Sequence, residues 1–402
     1  MFIRVVAVLL SMFSLTSVGS LASAGTEATA SFEAVPVRSV TMAENQSFGS
    51  HTAGRAVVVI EGGGSLHPFT TSLDACDGGR PVYIQKLVDS GFPVFTAPGF
   101  SNKSANTFGR TGCPPQPPRE VQWNTASYPP QAGQAVLGFL GYLNATYGYT
   151  TFDLIGYSYG GLVARATVAA LKSQPAAESM AHGFSYSRMA VDAGITIPTI
   201  TTINSPHLGS PTYDIASDPA KFMAPVTKAW GRQFAEGGQG LATFESEGGA
   251  GAIQVLRTRS HAKPDPTSWD TQQVGVLDGV ALTLIAGDYC GRSCGDAKAP
   301  PGAKPQGRLR TDGTVPVYSQ LILPCTKSCP TPPGSVYIPP GMLPDNVVRK
   351  TFPTVHSSFV TAQLGLPAKL SVINDPAAIA YVNSTTLSAW QAAGTPLLIP
   401  SE

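Results

Sequence analysis

The chain has 402 residues, of which 43% are hydrophobic and only 13% charged, with a formal net charge of +1. That length can bury a deep core in one large domain, and a near-neutral, charge-poor composition leaves no electrostatic footprint for nucleic acid or an acidic membrane. With 42 glycines and 35 prolines set against that hydrophobic fraction, the composition describes a loop-rich globular chain rather than a disordered one.

The first element is a leader. Met1-Phe2-Ile3-Arg4, an apolar run from Val5 to Val18 and the small residues Ala22-Ser23-Ala24 follow the order of a secretory signal. Residues 1–24 are therefore expected to be cleaved and residues 25–402 to be secreted as a single domain. The apolar run is broken by serines and is shorter than the ~20 residues of a membrane span. No later stretch reaches that length, so no transmembrane segment is expected.

Short β-branched apolar runs follow at Ala56–Ile60, Phe92–Thr96, Phe152–Ile155, Ile197–Ile203, Val280–Ala286 and Val347–Thr351. Their length and composition suit strands buried on both faces of a parallel sheet. Helical patterns lie between them, as where Ala135, Val136, Phe139, Leu140, Leu143 and Tyr147 repeat along one helix face. The alternation predicts an α/β fold with a mostly parallel central sheet flanked by helices. Between about 211 and 273 the pattern loosens into mixed helix and glycine clusters such as Gly237-Gly238-Gln239-Gly240. An insertion here would sit at the C-terminal edge of the sheet, as a cap or lid or as an ordinary packed subdomain. Phe222, Met223, Trp230 and Phe234 are its candidate apolar wall.

Six cysteines, Cys76, Cys113, Cys290, Cys294, Cys325 and Cys329, would meet an oxidising compartment after export. Local pairing would join Cys76 to Cys113, Cys290 to Cys294 and Cys325 to Cys329. A zinc site built from the two C-x3-C pairs is the alternative, disfavoured because no histidine flanks either pair. No metal or cofactor is expected to be needed.

The chemistry centres on Gly156-Tyr157-Ser158-Tyr159-Gly160. A Gly-x-Ser-x-Gly string alone is weak evidence, but here a strand precedes it and the helical run from Gly161 to Leu171 follows. Strand, tight turn and helix make a nucleophile elbow, in which the serine sits on a strained turn and the glycines remove side chains that would collide. A serine hydroxyl needs a base to take its proton and an acid to orient that base. Of the histidines after Ser158, His207, His261 and His356 lie at a distance worth considering, and His356 is favoured because it lies directly after the last predicted strand. Asp312, in the turn Thr311-Asp312-Gly313-Thr314, is the favoured acid, with Asp288 at the end of a strand as the alternative. Two backbone N–H groups should receive the developing oxyanion: that of Tyr159, after the nucleophile, and that of Gly63, in the glycine run Gly62-Gly63-Gly64.

Leu154-Ile155-Gly156-Tyr157-Ser158-Tyr159-Gly160-Gly161, Ser205-Pro206-His207-Leu208-Gly209-Ser210 and Asp312-Gly313-Thr314-Val315 together resemble secreted bacterial-type lipases and esterases of the α/β-hydrolase superfamily. The resemblance implies an α/β-hydrolase fold, a Ser158-Asp312-His356 triad that hydrolyses carboxylic esters such as acylglycerols, and His207 as a structural neighbour of the site. It also implies a lipid or other ester substrate and allows a transient contact with a lipid interface. Two departures stand out. Glu61-Gly62 replaces the family's His-Gly pair, which brings a carboxylate near a site that must stabilise negative charge. Ser358 occupies the place of the aspartate that holds a structural calcium in many relatives, so that calcium site is expected to be absent. Acyl transfer through the same triad, or a secreted binding protein with an inactive site, are the rival functions.

Overall fold

The computed structural model describes residues 54–64, 66–100, 112–173, 186–230, 250–289, 310–324, 336–364 and 366–397, all within the unit Thr41–Glu402. The expected leader 1–24, the cysteines Cys290, Cys294, Cys325 and Cys329, residue Phe234 and the side chain of Trp230 lie outside them.

Six strands, β1 (Arg55–Ile60), β2 (Val94–Thr96), β3 (Thr151–Tyr157), β4 (Thr196–Ile203), β5 (Ala281–Gly287) and β6 (Val347–Phe352), form one sheet in the order β2-β1-β3-β4-β5-β6. Every pairing is parallel. Each apolar run of the sequence falls on one of these strands. The main difference is at β2, which begins at Val94 rather than Phe92. Pro93 has no N–H to give a ladder, and its carbonyl instead accepts the Val57 N–H at 2.9 Å.

Strand residues alternate between two apolar clusters, as a pleated strand with two covered faces requires. Ala56, Val58, Ile60, Phe152, Leu154, Leu282 and Leu284 join the cluster on one face. Val57, Val59, Ile155, Tyr157 and Ile285 join the cluster on the other. The second face is covered by α1 (Val82–Asp89), through Tyr83, Ile84 and Leu87. The first is covered by α2 (Pro129–Tyr147), α3 (Gly160–Ser173) and α4 (Tyr186–Asp192). Helix α2 carries the predicted Val136-Phe139-Leu140-Leu143 stripe and stops at Gly148, whose φ of 79° is the left-handed cap glycine favours.

Between β4 and β5 the chain forms α5 (Pro211–Ser217), α6 (Pro219–Trp230) and α7 (Ala250–Leu256). Tyr213, Ala216, Ala252, Ile253, Val255 and Leu256 belong to the same apolar cluster as the sheet. The described part of the insertion therefore shares the sheet's core. After β6 come α8 (Ser358–Leu364) and α9 (Pro376–Ala392), the latter capped by the Asp375 carboxylate on the Ala378 N–H and returning Ile379, Val382 and Trp390 to the second face. A mostly parallel sheet clothed by helices on both faces, with a strand-turn-helix elbow at its centre, is the α/β-hydrolase fold.

One polar assembly crosses this apolar interior. Arg55 on β1 meets Asp153 on β3 in a two-point pair, Nε to Oδ2 and Nη2 to Oδ1, each at 2.8 Å. Asp153 also accepts from Trp390 Nε1 at 2.5 Å and Thr199 Oγ1 at 2.6 Å. Four donors on two oxygens satisfy a carboxylate that is only 1% exposed, which is the condition for burying such a charge.

Candidate active site

Strand β3 ends at Tyr157 and helix α3 begins at Gly160, leaving Ser158 and Tyr159 to make the turn. Ser158 has a φ of 52°, a left-handed conformation that costs an L-residue about 1–3 kcal/mol. Its N–H is held by the Ile203 carbonyl of β4 at 2.8 Å. The glycines around it answer to close approach. A Cβ on Gly160 would lie 2.1 Å from the Ile60 carbonyl oxygen, and one on Gly156 would lie 2.5 Å from that of Gly160. No side chain fits either place, so the elbow's two glycines are steric requirements of this backbone.

Ser158 Oγ is 2.9 Å from His356 Nε2, and His356 Nδ1 is 2.7 Å from Asp312 Oδ2. Of the three candidate histidines, His356 is thus the one brought to the nucleophile. An ionised Asp312 can only accept, so His356 Nδ1 carries the proton and Nε2 turns its lone pair to the serine hydroxyl. The other oxygen of Asp312 accepts the N–H groups of Thr314 at 2.9 Å and Val315 at 2.7 Å. His356 donates its own N–H to the Asp312 carbonyl at 2.9 Å, tying the candidate base and acid together through the backbone as well. Gly313, at φ 93°, lets the chain reverse directly after the acid. The turn is braced by the last residue of the Ser-Pro-His-Leu-Gly-Ser segment and by the first turn of α5, since Ser210 Oγ and Thr212 Oγ1 both donate to the Thr314 carbonyl.

Asp288 takes a different place. It receives Arg310 Nε at 2.6 Å and is not the carboxylate at His356. His207 and His261 are also spent elsewhere. His207 is wholly buried, with Nε2 3.0 Å from Thr202 Oγ1 and Nδ1 3.4 Å from Arg165 Nη1. Burial first, then the Arg165 and His261 charges, hold its pKa well below the usual histidine value, so it is a neutral core residue that accepts from Arg165 and donates to Thr202. His261 lies 2.5 Å from Asp270 through Nδ1 and 2.7 Å from the Val255 carbonyl through Nε2, pinning the turn after α7. His207 as a structural neighbour and His261 as a core staple both fit the residues around them.

The expected oxyanion donors are backbone groups. A Cβ at Gly63 would fall 3.2 Å from Tyr159 Cβ and one at Gly62 3.3 Å from Ser158 Cβ, so the glycine run lies against the elbow. Among the described residues neither the Gly63 nor the Tyr159 N–H has an acceptor. The charge of Glu61 is felt by Tyr83 and Tyr157, buried phenols of the second sheet face, whose ionisation is suppressed first by burial and then by this carboxylate.

Three contributors were not visible in the sequence. Tyr157 donates its hydroxyl to the His356 carbonyl at 2.7 Å, bracing the base from the residue before the nucleophile. Tyr213 is buried within reach of the Asp312 charge, and burial first, then that charge, push its pKa up to about 12. His67 places Nε2 2.8 Å from the Gly62 carbonyl. Only Tyr157 had any sequence signal, its position inside the elbow. Ser358 opens α8, and its Oγ accepts from Asn374 at 3.2 Å. Among the described residues no three His, Cys, Asp or Glu side chains gather as a metal site, and no helix is long and apolar enough to cross a membrane.

Residues 133–242 match the family described as "Putative serine esterase (DUF676)", a segment that contains the elbow. No curated protein matches the sequence. Among solved structures, the mature form of Bacillus licheniformis lipase BlEst2 is similar at 11% identity and a TM-score of 0.36, over 86% of this chain and 95% of that one. Lipase 1 from Pelosinus fermentans is similar at 14% identity and a TM-score of 0.39, over 84% and 98%. Carboxyl esterase 2 from Tuber melanosporum is similar at 10% identity and a TM-score of 0.36, over 84% and 77%. The family match supports an ester hydrolase.

Proposed function

We propose that this α/β hydrolase is an exported serine esterase that cleaves carboxylic esters, acylglycerols or other lipid esters among them, through an acyl-enzyme. The observation that carries the reading is the unbroken chain Ser158 Oγ, His356 Nε2 and Nδ1, Asp312 Oδ2, with links of 2.9 and 2.7 Å on a strained elbow.

Ser158 Oγ attacks the ester carbonyl while its proton passes to His356 Nε2. Asp312 holds the imidazole in the accepting tautomer and stabilises the imidazolium that forms. The carbonyl oxygen, now anionic, lies between the Gly63 and Tyr159 N–H groups at the N-terminus of α3. As the tetrahedral species collapses, the C–O bond to the alcohol breaks and His356 returns the proton to the leaving oxygen. Water then attacks the acyl-enzyme with His356 again as base, releasing the acid and restoring Ser158.

Export rests on the leader pattern of residues 1–24 and is supported by the Cys76–Cys113 disulfide, since such bonds persist in oxidising compartments. The lipid assignment rests on the sequence resemblance, with Phe222 and Met223 on α6 as candidate wall of the acyl pocket. The test is labelling by a fluorophosphonate followed by peptide mapping, together with turnover of a series of short to long esters. Modification at Ser158 alone and loss of turnover in Ser158→Ala are expected. Labelling elsewhere, or undiminished turnover in that variant, overturns the reading. A rate that rises with acyl length and jumps when the substrate forms an interface supports lipid esters over small soluble ones.

A further inference from the structure

The glycine run that supplies an oxyanion donor has no side chains with which to hold itself in one orientation. A peptide unit between two glycines can rotate between arrangements that aim its N–H at the nucleophile or away from it, because both residues tolerate the required φ and ψ. Something outside the run must choose. Two contacts do so here. The Gly64 N–H donates to the Thr125 carbonyl at 3.2 Å, which fixes the far end of the run. His67 Nε2 lies 2.8 Å from the carbonyl oxygen of Gly62, and a carbonyl can only accept, so the ring donates.

The Gly62 carbonyl and the Gly63 N–H belong to the same planar trans peptide and therefore point in opposite directions. Holding the carbonyl at His67 turns the N–H away from His67. The ring that does this is itself immobilised. The His67 backbone exchanges two hydrogen bonds with Gly99, N to O at 2.9 Å and O to N at 2.8 Å. Its imidazole stacks on Trp123 with centroids 6.4 Å apart and planes 15° from parallel. Trp123 is fully buried and belongs to the core. We infer that His67 is the positioning residue of the oxyanion hole, locking the Gly62-Gly63 peptide so that the Gly63 N–H faces the carbonyl oxygen of the substrate. This rests on the esterase reading and adds to it a side chain outside the triad.

The consequence is kinetic. A donor that is misaimed part of the time is lost to the transition state more than to the ground state, so kcat falls while KM is little changed. Removing one oxyanion donor outright costs about 10²- to 10³-fold, which sets the upper range for His67→Ala. The expected result is a fall in kcat of about 10- to 100-fold, with KM unchanged and an equal loss of affinity for an alkyl boronic acid, whose adduct with serine carries the tetrahedral anion. His67→Gln, whose amide can still donate to the Gly62 carbonyl, should recover most of both. A folded His67→Ala enzyme that keeps wild-type kcat and boronate affinity overturns the inference. So does a His67→Gln enzyme no better than His67→Ala.

A measurement on the unmodified protein guards against loss of folding in the variants. With glycine labelled by 15N, formation of the boronate adduct should move the Gly63 amide proton downfield, and an unmoved Gly63 resonance overturns the inference. Failure here is distinct from failure of the esterase reading. If Ser158→Ala keeps its turnover, the triad is wrong. If Ser158→Ala is inactive while His67→Ala is folded and fully active, only the role of His67 is wrong.

Discussion

Asp312→Asn separates the placement of the histidine from its protonation. The carboxylate is completely buried, with Oδ2 2.7 Å from His356 Nδ1 and Oδ1 accepting from Thr314 N at 2.9 Å and Val315 N at 2.7 Å. An asparagine fits the same space but presents one acceptor and one donor. If its NH₂ faced the turn, it would meet two N–H donors and forfeit two hydrogen bonds to a charged acceptor, each worth about 1.5–3 kcal/mol. If it faces His356, only one contact changes, and the imidazole can answer by moving its proton. The second arrangement wins because it keeps both turn hydrogen bonds and re-forms the third with the donor and acceptor exchanged. It leaves Nδ1 as acceptor and Nε2–H pointing at Ser158, with no lone pair to take the serine proton. The expected loss in kcat is about 10⁴-fold, or about 5.4 kcal/mol in barrier height. KM and the unfolding midpoint should hold. Steady-state hydrolysis of a p-nitrophenyl ester, normalised by active-site titration, measures this, with Asp288→Asn as the active control. An Asp312→Asn enzyme retaining more than about a tenth of wild-type kcat, or an Asp288→Asn enzyme equally crippled, refutes the reasoning.

Other perturbations probe the scaffold. Asp153→Ala strands the buried Arg55 charge and should cost about 3–5 kcal/mol in urea unfolding, whereas Arg55→Met with Asp153→Leu should cost much less; equal losses would show that the pair's burial is not the cause. Cys76→Ser with Cys113→Ser opens a loop of sequence separation 37. The chain-entropy model gives a loss of about 4 kcal/mol, and a variant as stable as the parent would contradict it. Stability should peak near pH 6.5. Neutral His207, its pKa depressed, favours folding above about pH 6.5 and loses that contribution as the pH falls, by about 1.4 kcal/mol per pH unit. His261 has the opposite sign: burial lowers its pKa, but the Asp270 charge and hydrogen bond outweigh this and raise it. Its contribution is therefore full below about pH 6.5 and is lost as the pH rises through the folded value. Urea midpoints across roughly pH 5 to 8 should lose their acid slope in His207→Gln and their alkaline slope in His261→Gln; slopes that survive both substitutions would assign the pH dependence to other groups.

The sheet was legible because strands covered on both faces must be almost wholly apolar, as Ala56–Ile60 is and as Phe152–Ile155 is apart from Asp153. The elbow was legible because its glycines answer to backbone collisions that any sequence with this turn must avoid. Asp312 and His356 could be proposed from chain order, while the choice between Asp312 and Asp288 needed coordinates, since both follow strands and both sit in turns. What could not be read was every contact made across long separations by a residue of ordinary type. Asp153 looked like one polar residue in a strand, and nothing local announces that Arg55, Thr199 and Trp390 converge on it. His67 is likewise a single histidine whose role depends on a carbonyl five residues back and on a tryptophan brought from position 123.

Glu61 shows how strand parity can settle a question that composition raises. A carboxylate beside an oxyanion hole would oppose the charge that develops there, and the sequence places Glu61 immediately before the glycine run. Side chains alternate along β1, with Ala56, Val58 and Ile60 on one face and Val57 and Val59 on the other. Extending that alternation by one residue puts Glu61 with Val57 and Val59, on the face of Tyr83 and Tyr157, whose phenols feel its charge. The glycine run itself touches both layers, Gly62 lying beside Tyr157 and Gly63 beside Tyr159. The contacts that reach the backbone of the run come from His67 at the Gly62 carbonyl and from Thr125 at the Gly64 N–H.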